Sequence, residues 1–151
     1  EAFARKSDFL TLREGVTALH VLDVRRILEL ESVRQVAQAV PPVNPSRLEE
    51  LLDQMADNKE DLSVFREVDV DFHLALGELS GNPVLAQILQ ELRRVFLEQM
   101  ERDSLVNEAL RDHARILDAI RKGDVDRAER AMERHIGRMY EFYLADGEHG
   151  V

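Results

Sequence analysis

Apolar positions recur at three- and four-residue steps along most of the chain, and a proline, a glycine or a polar run stands wherever that rhythm breaks. This is helical periodicity, not the strict alternation of a half-buried strand. Residues 1–8 carry no clear period and read as a linker. A helical pattern begins near Asp8 and strengthens from Leu19 to Val40, where Leu22, Leu30, Val33, Ala37 and Val40 share a stripe. Pro41-Pro42 stops it, because proline removes a backbone donor and drives the preceding residue out of helical geometry. Asn44 and Pro45 then restart a helix as N-cap and first helical residue. Its stripe is Leu48, Leu51, Leu52 and Met55, and it ends in the polar run 57–61.

A third helix is predicted over Leu62–Leu79, with Val68, Phe72, Leu76 and Leu79 on one face. Ser80-Gly81-Asn82-Pro83 breaks it and opens a long amphipathic helix over Val84–Arg102, with Leu85, Ile88, Leu89, Leu92, Phe96 and Met100 inward. Asp103-Ser104 separates this from a helix over Leu105–Lys122. Gly123-Asp124 is a stop followed by a cap, and a last helix runs from Val125 to about Leu144. Residues 146–151, with His149, read as a frayed tail. The pattern predicts an all-α, antiparallel bundle of six to seven helices, folded as a single domain over residues 9–145.

Charge narrows what such a bundle does. The formal net charge of −10 repels phosphate backbones, so the chain is not expected to grip nucleic acid by itself. No apolar run approaches the roughly 18 residues of a membrane span, and the lack of cysteine fits a cytoplasmic protein. The chain has no cysteine, so any metal has to be held by histidine and carboxylate. The first residue is Glu, not Met, and a fragment or processed chain is expected.

Asp69 and His73 stand four residues apart within the third helix, which stacks both side chains on one face. On its own that spacing is usually a surface salt bridge, not a shared ligand set. His113 falls on the inward face of its helix with Ile116, Leu117 and Ile120, and His135 on the stripe of Ala128, Ala131, Met132, Ile136 and Met139. Either histidine alone reads first as a core imidazole bonded to a carbonyl or carboxylate. Together, three buried imidazoles and a carboxylate carry a desolvation cost that one shared cation removes, and bundle cores build metal sites in this way. Periodicity alone does not bring the four residues to one point.

Three runs resemble a known family. Asp69-Val70-Asp71-Phe72-His73 followed by Ser80-Gly81-Asn82 is similar to the D-x-x-F-H … S/A-G-N signature of the FCD effector domain. That domain is the C-terminal ligand-sensing part of FadR-type regulators in the GntR family. The run from His113 through Ile116, Ala119, Ile120, Gly123, Asp124, Ala128 and Met132 to His135 has the same spacing as the family. Asp23-x-Arg25-x-x-Leu28-Glu29 resembles its E-x-R-x-x-L-E pattern, with Asp in place of Glu. The likeness covers about residues 19–140.

The resemblance implies a divalent ion held by Asp69, His73, His113 and His135, zinc ahead of nickel, manganese or iron. It implies open coordination positions that take water or the carboxylate of a small organic acid, and homodimerisation. Arg25 corresponds to an arginine able to pair with the effector carboxylate, although an intrahelical bridge to Glu29 competes for it. Asn82 can turn its amide into the pocket, or cap a helix instead. The winged helix-turn-helix of such regulators is absent from this chain, so DNA binding would belong to that other domain. An enzyme is not expected, since no acid/base group accompanies the proposed ligands: Asp71, two residues from both Asp69 and His73, points to another face. A metal-dependent enzyme and a metal-free helical ligand or interaction module are the alternatives.

Overall fold

The computed structural model describes residues 16–100 and 105–147. Among them are α1 (Ala18–Gln38), α2 (Ser46–Asp57), α3 (Leu62–Leu79), α4 (Pro83–Met100), α5 (Val106–Arg121) and α6 (Val125–Asp146), with no strand. The all-α bundle is observed. The linker 1–8, the start of the first helical pattern near Asp8, and His149 lie outside the described residues.

Asp124 caps its helix as expected, and Asp61, read in the chain only as the end of a polar run, caps another. Asp61 Oδ1 accepts from Val64 N at 3.2 Å, and Asp124 Oδ1 accepts from Arg127 N at 3.0 Å. Each satisfies an amide that the first helical turn leaves without a partner. Asn44 Oδ1 accepts from Ser46 N at 3.0 Å while Pro45 sits at φ −82°, ψ 0°, so the assigned helix begins one residue later than expected. Gly123 supplies the left-handed φ of +63° on which α5 hands over to α6.

Two apolar expectations fail. α1 ends at Gln38 and Ala39 is extended, which leaves Val40 94% exposed and off the core stripe. The proline after Val40 denies it helical geometry. Ile88 is 42% exposed, while Val95, absent from the expected stripe, is buried.

α3 is the central element. Its residues from Val68 to Gly77 are buried on nearly every side, Asp71 excepted. One face, with Phe65, Val68, Phe72 and Leu76, joins a core built with α1, α2, α5 and α6. The other face, with Val70 and Leu74, joins a second cluster with Val21 of α1 and Leu85, Leu89, Leu92, Val95 and Phe96 of α4. Gly77 permits the close approach of α4, since a Cβ there would stand 2.5 Å from Leu89 Cδ1. The polar side chains of α3 that face the first core are therefore held rigidly between helices.

Candidate metal centre

α3 presents Asp69 and His73 one turn apart, α5 presents His113, and α6 presents His135. All four are at most 3% exposed, and one ligand atom from each lies within 4.8 Å of the others. Asp69 Oδ1 is 3.3 Å from His73 Nε2 and 3.2 Å from His113 Nε2, and the two Nε2 atoms are 3.1 Å apart. The imidazole of His135 stacks on His73 at 5.1 Å between ring centres and lies 4.6 Å from His113.

The residues present fit a divalent cation. Bonds of about 2.0–2.1 Å place neighbouring donors on one ion roughly 2.9–3.4 Å apart, from octahedral to tetrahedral geometry. The three measured separations fall inside that range. His135 Nε2 is buried with no hydrogen-bond partner among the described residues, and buried Asp69 Oδ1 faces the Nε2 atoms of His73 and His113. Lone pairs so arranged repel one another unless a positive centre stands between them.

Behind His73 stands a residue that stripe reading missed as part of the site. Glu29 Oε2 lies 2.8 Å from His73 Nδ1, and Glu29 Oε1 accepts from Arg25 Nε at 2.8 Å. A carboxylate on the far nitrogen of a metal-binding imidazole fixes its tautomer and aims the other nitrogen at the metal. A signal for Glu29 was present in the chain: Ala18, Leu22, Arg25, Glu29, Val33 and Val36 follow one another at three- and four-residue steps, so both charged residues take inward positions. Asp112 was missed too. It is wholly buried, accepts from Arg138 Nε at 2.9 Å and Arg115 Nη1 at 3.1 Å, and stands 3.9 Å from His135 Nδ1.

Electrostatics separates the three histidines. Burial pushes His73 down, but Glu29 and Asp69 outweigh it and raise its pKa to about 9. Burial lowers His113 to about 4 and, helped by the neighbouring imidazoles, holds His135 well below its ordinary value. Burial alone would raise Glu29, yet Arg25 and His73 bring it down to about 2. At neutral pH these shifts leave His73 as a cationic imidazolium beside two neutral imidazoles, with Asp69 and Glu29 ionised.

The other expected site residues are placed differently. Arg25 is wholly buried and bound to Glu29, with Nη1 3.4 Å from Met139 Sδ and the guanidinium 4.9 Å above the Phe96 ring. The intrahelical bridge is thus formed, and through Glu29 it reaches His73. Asn82 caps α4: its Oδ1 accepts from Val84 N at 3.1 Å and Leu85 N at 3.2 Å. Asp71 turns away from the cluster and accepts from Arg93 at 3.2 Å.

Against known proteins, residues 20–138 match the family described as FCD domain. Among curated proteins, the chain is 31% identical over 147 residues to the HTH-type transcriptional repressor NanR of Enterobacter sp. (strain 638), covering 93% of this chain and 56% of that protein. NanR of Cronobacter sakazakii is 31% identical over 144 residues, covering 91% of this chain and 55% of its own length. The chain spans about half the length of the curated relatives it matches. Among solved structures, a Streptococcus agalactiae GntR protein superposes with a TM-score of 0.63 at 23% identity, over 79% of this chain and 56% of that one. A structure described with Lar, which controls the expression of the Listeria monocytogenes agr system, superposes with a TM-score of 0.70 at 13% identity, over 85% of this chain and 66% of that one. At those identities the two structures speak for the fold.

Proposed function

The chain belongs to the FCD domain family, and on that premise we propose that it is the metal-dependent effector-binding domain of a bacterial GntR-family regulator of the FadR type. FCD domains are regulatory rather than enzymatic. The observation that carries the metal dependence is the convergence of Asp69, His73, His113 and His135 from three helices, with Glu29 behind His73. His₃Asp donors suit zinc first, with nickel, manganese or iron able to replace it. A divalent ion there supplies a Lewis-acidic point for an oxygen of the effector.

Charge favours an acid as that effector. Asp69 matches one of the ion's two charges, while Arg25 and Glu29 match each other, so one positive charge is left for a carboxylate. Arg25 helps through this balance, and Asn82, its oxygen committed to the α4 cap, has only its amide N–H groups to offer. The effector regulates by binding one arrangement of a parent homodimer better than the other; equal binding would shift nothing. DNA contact falls to a winged helix-turn-helix outside this chain, in a cytoplasmic protein. Among the described residues no helix is long and apolar enough to cross a membrane.

Thermal unfolding with small organic acids tests the proposal. At about 100 times its Kd, a bound acid adds about 2.7 kcal/mol, or roughly 5–11 °C in a domain of this size. The shift is expected in zinc-loaded protein and absent after chelation. An equal shift in chelated protein would favour a metal-free ligand module.

A further inference from the structure

Two arginines stand beside the cluster in opposite conditions. Arg25 is committed to Glu29, and its charge is matched inside the protein. Arg66 lies on α3 one turn before Asp69, half-buried, with Nε shut off from solvent and no hydrogen-bond partner among the described residues. Three other arginines near the cluster are engaged: Arg115 and Arg138 hold Asp112, and Arg93 holds Asp71.

Arg66 and Asp69 line the same cleft, whose remaining walls are Leu62 and Phe65 of α3 together with Leu105, Val106 and Ala109 at the start of α5. The cleft therefore ends on a proposed metal ligand. Its apolar walls lower the local dielectric, and an ion pair formed there is stronger than on the open surface. A desolvated guanidinium N–H without an acceptor is costly, and the cost is relieved when an anionic oxygen reaches it. Guanidinium also offers a planar fork that fits a carboxylate with two hydrogen bonds. The cavity volume is about 10 Å³, room for a single water. Any larger group in the cleft has to part Leu105 and Val106 from Phe65, which would couple its arrival to the first turn of α5, the helix that carries His113.

From this we propose that the effector is an acid with two anionic groups. One lies at the metal, and the second is received by Arg66 in the cleft between the starts of α3 and α5. The inference rests on the metal site argued above. Arg66 is then the residue that determines specificity between mono- and dianionic acids.

The test uses the zinc-loaded full chain and four probes: succinate and glutarate, with the equal-length monoacids butyrate and valerate. Calorimetric titration is expected to show at least one diacid binding ten-fold or more tighter than its monoacid. Arg66→Gln should remove most of that advantage while zinc content is retained, and Arg66→Lys should restore part of it. The proposal is overturned if neither diacid is preferred by zinc-loaded wild type, or if the preference survives Arg66→Gln. A chain that takes up no zinc would instead overturn the metal site itself, so the two failures are told apart by elemental analysis of the same samples.

Discussion

Removing the carboxylate of Glu29 separates what it does for folding from what it does for the metal. Glu29 is 1% exposed and stands between Arg25 Nε and His73 Nδ1, each at 2.8 Å. Glu29→Ala leaves the wholly buried Arg25 without its counter-charge, which costs about 3–5 kcal/mol. In a domain of this size that lowers Tm by roughly 6–20 °C. Glu29→Gln keeps the shape and an acceptor oxygen but not the charge, and loss of an outer-shell carboxylate weakens metal binding about 10–100-fold. Replacing both residues, as Arg25→Met with Glu29→Met, removes the unpaired charge and should recover most of the stability lost by Glu29→Ala, yet the metal affinity should stay low. Stability is read by urea unfolding in the presence of chelator, and affinity by competition with a metal-binding dye. Full metal affinity in Glu29→Gln, or no recovery in the double variant, would refute this assignment of roles.

Two further outcomes follow from the same geometry. In the metal-free chain His73 keeps its proton up to a pH of about 9, so at pH 7.5 metal uptake should release about one proton per ion into a weakly buffered solution. Log affinity should then rise by about one per pH unit and level off above pH 9, because there is no longer a proton to displace; uptake without proton release would contradict that order of events. Phe72 is wholly buried and packs 4.5 Å from the His113 ring, so Phe72→Ala should cost about 3–5 kcal/mol in urea unfolding, and a cost below 1 kcal/mol would show the site's wall to be loosely packed.

Helix existence was legible throughout the described residues, because apolar periodicity, the Asp124 cap and the proline and glycine breaks all agree along the chain. Errors gathered where a stripe meets a context the chain does not display. Val40 matched the apolar spacing but lost its helix to the following proline, and Ile88 matched it yet is 42% exposed. The two-sided burial of α3 was not legible either, since Val70 and Leu74 lie off the single stripe that periodicity picks out. For the site, helical faces brought all four donors inward, and the resemblance to FCD domains suggested their meeting. Glu29 went unassigned to the site because a charged pair four residues apart reads first as a surface bridge. Only the packing of α1 against α3 turns it toward His73.

Metal content tests the central claim most directly. Elemental analysis of the chain purified without chelator, beside His73→Ala prepared in the same way, is expected to give about one divalent ion per chain in the wild type. The variant should lose most of it and melt at a lower temperature. Wild-type protein with no stoichiometric metal, or a His73→Ala variant that retains it in full, would contradict a centre built on Asp69, His73, His113 and His135.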